Sequence, residues 1–194
     1  MCLSSNVLDD KHIVFHAQNR LWRWQGLTVW VWILQGVYFA SALFPNIHMP
    51  LFLGVVWPLA MFVSTLVTYV LIPDAIKKGD ASLFFTPATL LMHNANVLML
   101  IPELCVYKIP LASLRLSFLF LTLYFVWHQY VRYHRTRTLY YSIMNWSKTK
   151  HMHVLGGMAC LLCSYTVCGH MWTSMIHGKI ILVCLSLSVC RWHA

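Results

Sequence analysis

Long apolar runs, broken by short polar or proline-bearing stretches, dominate this chain. A membrane-spanning helix needs about 20 mainly apolar residues, within a range of about 17–25. The pattern predicts spans at about 27–44, 51–72, 88–107, 111–130 and 154–175. A sixth run, 176–192, is short and weak, and reads as a span or as a helix lying in the interface. Pro45 and Pro50 bracket the first loop, and Pro73-Asp74 closes the second span. Residues 1–25 read as a polar N-terminal tail and 26–194 as a single membrane domain. The tail has no apolar run long enough for a signal-peptide core, so the first span reads as an uncleaved anchor. No run alternates with the period of a strand, and in lipid only helices or closed barrels satisfy the backbone. The fold class is therefore all-α: a polytopic integral membrane helical bundle of five or six transmembrane helices.

Composition strengthens this reading. Charged residues make up 10% of the chain, against about 25% in an ordinary soluble domain. Hydrophobic residues are 59%, and the mean hydropathy is +0.64. Too few polar residues remain to cover a soluble surface of this size. That excludes a soluble globular enzyme and a disordered chain. The net charge of +9 raises the possibility of a nucleic-acid partner, but the basic residues lie between the apolar runs rather than on one stripe. No nucleic-acid partner is expected.

The same basic residues set the orientation. With the N-terminus in the cytosol, the inner segments carry Lys11, Arg20, Arg23, Lys77, Lys78, Arg132, Arg135, Arg137, Lys148, Lys150 and Arg191. The outer segments carry only Lys108, Arg115 and Lys179. This is a positive-inside bias. An endomembrane such as the endoplasmic reticulum, or the plasma membrane, is the expected location.

Cysteine specifies no disulfide framework. There are seven, and Cys160-x-x-Cys163 has no second pair at zinc-site spacing. Cysteines inside apolar runs read as small hydrophobes. His12 and His16 stand at i, i+4 without a third metal ligand, and the H-x-x-H-H boxes of membrane desaturases are absent. No metal and no cofactor are expected.

Polar groups inside a bilayer are costly and are by default candidates for function. The spans contain Thr28 and Gln35, then His93, Asn94, Asn96 and Glu103, then His128 and His170. Thr28 and Gln35, seven residues apart, share a helix face, as do His93 and Asn96 at i, i+3. The structural readings are a Thr bonded to its own helix, a Gln acting as interhelical glue, and histidines at the interface. Glu103 lies roughly 15 Å beyond His93 along a helix axis, so it reads as a helix-end or water-facing carboxylate. The chemical reading joins Thr28 to His93. Both lie near the cytosolic ends of spans that start on the same side, so their depths match. A threonine hydroxyl becomes a nucleophile when a neutral imidazole within about 2.6–3.2 Å takes its proton. Asn96, with Gln35, is a candidate for orienting the imidazole or binding substrate, and Asn96 for an oxyanion-type donor.

At Thr28 and His93 the chain resembles the androgen-induced protein family. Four segments carry the resemblance. Trp24-Gln25-Gly26-Leu27-Thr28, followed by Gln35 and Phe39, resembles the family's W-x-x-L-T-x6-Q segment. Trp57-Pro58-Leu59-Ala60-Met61-Phe62-Val63 resembles its aromatic-Pro-x3-Phe-Val helix. Met92-His93 with Glu103 resembles its Met-His-x9-Glu segment, and Tyr133-His134-Arg135-Thr136 its His-x-Thr segment. The resemblance covers about residues 22–145. It implies a multispan membrane hydrolase of fatty acid esters of hydroxy fatty acids, with Thr28 as nucleophile and His93 as its partner. The chain departs from the family in three places. Its first 22 residues are polar where the family has another helix, Leu90 replaces a second histidine, and Arg137–Ser142 replaces a Gly-Met-Trp-x-Tyr-Pro stretch.

The function expected is thus intramembrane hydrolysis of a lipid ester by Thr28 and His93, with membrane lipid as substrate. The alternative is a non-catalytic multispan protein that binds lipid or regulates a partner. A third reading is a haem-binding or transport bundle built on the intramembrane histidines. The orientation gives a direct prediction. The lone sequon, Asn145-Trp146-Ser147, lies on the cytosolic side and stays unglycosylated, which an endoglycosidase mobility shift on protein from mammalian cells checks.

Overall fold

The computed structural model of the chain describes residues 26–44, 48–79 and 85–127, and the helical backbone of 151–192 with its side chains over 156–179. The polar tail 1–25, His128, Tyr133–Thr136 and the Asn145 sequon lie outside the described residues. Among the described residues all regular structure is helical. We label the helices α1 (Leu27–Ser41), α2 (Met49–Leu66), α3 (Ile72–Lys78), α4 (Pro87–Val106), α5 (Ser113–Val126) and α6 (His151–Trp192). A π turn, Val67–Leu71, joins α2 to α3 without a break.

Local chemistry sets most of these ends. The Thr86 side chain accepts from Thr89 N at 3.2 Å, and Pro87 takes the first helical position, where its missing N–H costs nothing. His48 Nδ1 accepts from Leu51 N at 3.2 Å at the start of α2. Gly79, at φ 82°, terminates α3 in the left-handed region that glycine occupies without steric cost.

Two boundaries differ from the hydropathy reading. The second helical segment does not stop at Pro73 but runs on to Lys78. Proline lacks the N–H of an α-helical turn, and its ring crowds the carbonyl four residues back. The π turn directly before it re-spaces the hydrogen bonds, so the rod passes through. The second difference is in α6, which is one continuous helix of 42 residues where the sequence suggested two segments meeting near Ile176. Gly178 is the weak helix former at that point, and a glycine costs only about 1 kcal/mol there.

The segments Met49–Lys77 (29 residues) and Thr89–Val106 (18 residues) are long and apolar enough to cross a membrane. The helices α1 and α5 are apolar but shorter, at 15 and 14 residues. The outward faces carry large apolar side chains, including Leu91, Leu98 and Met99 on α4 and Leu119 and Leu123 on α5.

Helix α2 is the centre of the bundle, and α1, α4, α5 and α6 all pack on it. Its Leu53, Val56, Leu59, Ala60 and Phe62 are fully buried. Polar contacts fix the directions of its neighbours. Ser64, late in α2, bonds Asn94, early in α4, so these helices are antiparallel. Ser117, early in α5, donates to the Gly54 carbonyl, early in α2, and these two are parallel. Tyr165 of α6 meets Thr65, late in α2, while the later Gly169 meets Trp57, so α6 runs against α2. With α2 and α3 counted as one rod, the chain from α2 to α6 therefore alternates direction from one helical segment to the next.

Glycine permits the two closest approaches. A Cβ at Gly54 would sit 2.6 Å from Ser113 Cβ, and one at Gly169 would sit 2.8 Å from Trp57 Nε1. Small residues at helix crossings allow backbones this near. Near these crossings α6 also holds the α4–α5 connection: Thr173 Oγ1 accepts from Ile109 N at 3.1 Å, and His170 Nδ1 donates to Ile109 O at 2.6 Å. Gly54→Leu forces α5 away from α2 and destabilises the protein by about 1–3 kcal/mol. Gly36→Ala, with nothing within 4 Å, does not. Thermal unfolding of the two variants in detergent checks the contrast.

Candidate functional site

A polar seam joins α1 to α4. Thr28 Oγ1 lies 3.5 Å from His93 Nδ1. Trp32 Nε1 donates to the Met92 carbonyl at 2.6 Å, and Gln35 Nε2 donates to the Asn96 carbonyl at 3.1 Å. Tyr38 OH donates to Glu103 Oε2 at 2.7 Å. From Thr28 to Tyr38 is ten residues, and so is His93 to Glu103. The two helices therefore run parallel and in register, as alternate segments of an up-and-down chain must.

Thr28 is the second residue of α1, and it is 7% exposed. Its hydroxyl stands at the end of the helix where unpaired backbone N–H groups give a partial positive charge. His93 is the seventh residue of α4 and is half-buried. With its proton on Nε2, the imidazole accepts from the Thr28 hydroxyl through Nδ1. The separation is longer than the productive range of about 2.6–3.2 Å, as hydrogen bonds at catalytic sites often are before substrate tightens them.

The other two residues predicted for the site also meet across this seam, but not as a prop for the imidazole. The Asn96 side chain uses Oδ1 to accept from Val97 N at 2.8 Å and does not bond His93. Gln35 is interhelical glue through its Nε2. Each leaves one buried polar atom, Gln35 Oε1 and Asn96 Nδ2, without a hydrogen-bond partner among the described residues. Gln35 is 1% exposed and Asn96 0%. A buried polar atom left unpaired costs about 1–3 kcal/mol.

Glu103 stands in the last turn of α4, half-buried, and its Oε2 accepts from the Tyr38 hydroxyl. Tyr38 and Trp32 are seam residues that sequence reasoning missed. Both read as ordinary aromatics of an apolar run, and only the shared ten-residue spacing of Thr28–Tyr38 and His93–Glu103 signals the pairing. His170 donates to a backbone carbonyl and does not oppose His93. Among the described residues no group of three metal-ligating side chains occurs. Cys160 and Cys168 are exposed on α6 and free, and Cys163 is half-buried, so two of the three face outward instead of packing in the core.

No protein-family model, curated protein or solved structure matches this chain.

The Tyr38–Glu103 bond gives a test of the seam itself. Tyr38→Phe lowers stability by about 1 kcal/mol, whereas Glu103→Gln, which keeps an acceptor carbonyl for the Tyr38 hydroxyl, lowers it less. Denaturant unfolding of both variants in mild detergent reads the order.

Proposed function

We propose that this chain is a multispan membrane protein of the androgen-induced protein kind that hydrolyses a lipid ester within the bilayer. Thr28 is the nucleophile and His93 the general base. The substrate class is a fatty acid ester of a hydroxy fatty acid. The single observation that carries the proposal is the Thr28 Oγ1–His93 Nδ1 juxtaposition at 3.5 Å, made by residues 65 positions apart at the buried α1–α4 seam. The apolar outer faces of α4 and α5 support a lipid surround. The positive-inside count supports a cytosolic N-terminus, which puts the Thr–His pair in the cytosolic half of the membrane.

The reaction balances without a metal or cofactor. Thr28 Oγ attacks the ester carbonyl carbon as His93 Nδ1 takes the hydroxyl proton. The tetrahedral intermediate collapses by breaking the bond to the alkoxy oxygen, which receives that proton from His93 and leaves as the alcohol. Water then attacks the acyl-threonine ester, with His93 again as base, and releases the fatty acid and free Thr28. The N-terminal position of Thr28 on α1 favours the negative charge that develops beside it.

The competing reading is a non-catalytic bundle that binds lipid or regulates a partner. It draws on the use of Trp32, Gln35 and Tyr38 as plain interhelical bonds. Purified full-length protein, assayed for release of hydroxy fatty acid from such an ester, separates the two. Wild type turns over, Thr28→Ala loses more than about 1,000-fold in kcat, and His93→Ala loses about 10²–10⁴-fold. All three retain the wild-type unfolding temperature within a few degrees. Equal rates in wild type and Thr28→Ala remove the enzyme reading.

A further inference from the structure

Two buried polar atoms in the α1–α4 seam have no partner among the described residues: the Gln35 Oε1 acceptor and the Asn96 Nδ2 donor. Buried side-chain amides are normally bonded, and an orphaned one calls for an explanation, of which a catalytic role is one. Their positions are specific. Asn96 lies one turn after His93 on α4, so their side chains are neighbours on one helix face. Gln35 bonds the Asn96 backbone carbonyl, which places both orphans at the same crossing. Side chains on a helix lean toward its N-terminus. The Asn96 amide on α4 and the Gln35 amide on α1 therefore both lean toward the Thr28–His93 end.

Resting on the hydrolase reading above, we infer that Asn96 Nδ2 is the hydrogen-bond donor to the ester carbonyl oxygen as it becomes an oxyanion. Chemistry selects Asn96 over Gln35. An oxyanion needs a donor, and the free atom of Gln35 is an acceptor that would repel it. Gln35 Nε2 is anchored by one of its two N–H groups to the Asn96 carbonyl, whereas both N–H groups of Asn96 Nδ2 are free of partners among the described residues. Gln35 is thus a positioning residue that holds this turn of α4, and Asn96 is the residue that touches substrate. No described protein group competes for this donor, so it is open to the carbonyl oxygen as charge builds there. An interaction of that kind lowers the barrier without tightening ground-state binding. An oxyanion donor that acts in a water-poor site requires no reorganisation at the moment of attack.

The test uses full-length protein in detergent with Asn96→Leu, which matches asparagine in shape and removes the donor without adding charge. The substrates are the oxygen ester and its thionoester, in which sulfur replaces the carbonyl oxygen and is a poor hydrogen-bond acceptor. Asn96→Leu loses about 10²–10³-fold in kcat on the oxygen ester with little change in KM. The preference of wild type for the oxygen ester over the thionoester falls by a similar factor. Its unfolding temperature stays at or above the wild-type value, because a buried unpaired amide is gone. A wild-type kcat in Asn96→Leu overturns the inference, and so does a kcat loss that leaves the oxygen-to-sulfur preference intact. Thr28→Ala keeps the two failures apart. Turnover that needs Thr28 but not Asn96 removes the oxyanion donor alone, while turnover absent from wild type removes the hydrolase reading and this donor with it.

Discussion

Four polar contacts between α1 and α4 constrain the rest of this bundle, because they can all form only when the two helices lie parallel and in register. Thr28 meets His93 at one end and Tyr38 meets Glu103 ten residues later. Two helices consecutive in an up-and-down chain would be antiparallel. Parallel α1 and α4 therefore need one helical segment between them that returns the chain, and the α2–π–α3 rod supplies it. The central place of α2 follows. It must touch both helices it connects, and its buried leucines, valines and Phe62 then offer faces to α5 and α6.

Polar groups and apolar packing do different jobs in this arrangement. The core of α2 is apolar, and Ser64, Thr65 and the Gly54 carbonyl tie its margins to the neighbouring helices. Glycine at positions 54 and 169 sets how near α5 and α6 come. Apolar surfaces packed on one another give little directional preference to a helix pair, so hydrogen bonds and close approaches fix the orientation. The seam provides that orientation on one side, and the capture of the Ile109 backbone by His170 and Thr173 provides it on the other. Among the described residues of the seam, the Gln35 and Asn96 amides are the ones with buried atoms left over, and Asn96 stands one turn from His93.

The helical class and the approximate extents of α1, α2, α4 and α5 were legible because the length and apolarity of a helical run are properties of a short window of sequence. Thr28 and His93 were legible because alternating helix direction places the starts of the first and third segments at one depth. Asn96 and Gln35 were legible as polar groups in apolar runs, but their bonding was not. Sequence spacing puts Asn96 on the His93 face; it does not say that the side chain turns to Val97 N. Glu103 was placed by its distance from His93 alone, and its partner is on another helix, at Tyr38. The passage of α2–α3 through Pro73 was hidden for a different reason. Proline is a reliable stop signal for an α-helix, and the compensating π turn has no composition of its own.

That π turn changes how the rod should be counted. Five residues, Val67–Leu71, turn with wider spacing than an α-helix, so the rod carries about one residue more than its length demands. Side chains beyond the turn are rotated about the axis relative to a continuous α-helix. The face that α2 commits to the core and the face that α3 presents are consequently offset. Leu66 and Val67 are buried, while Ile76 and Lys77, about one and a half turns past its end, point outward. The turn is a built-in phase shift. The same rod can line the core with one register and present its charged end with another.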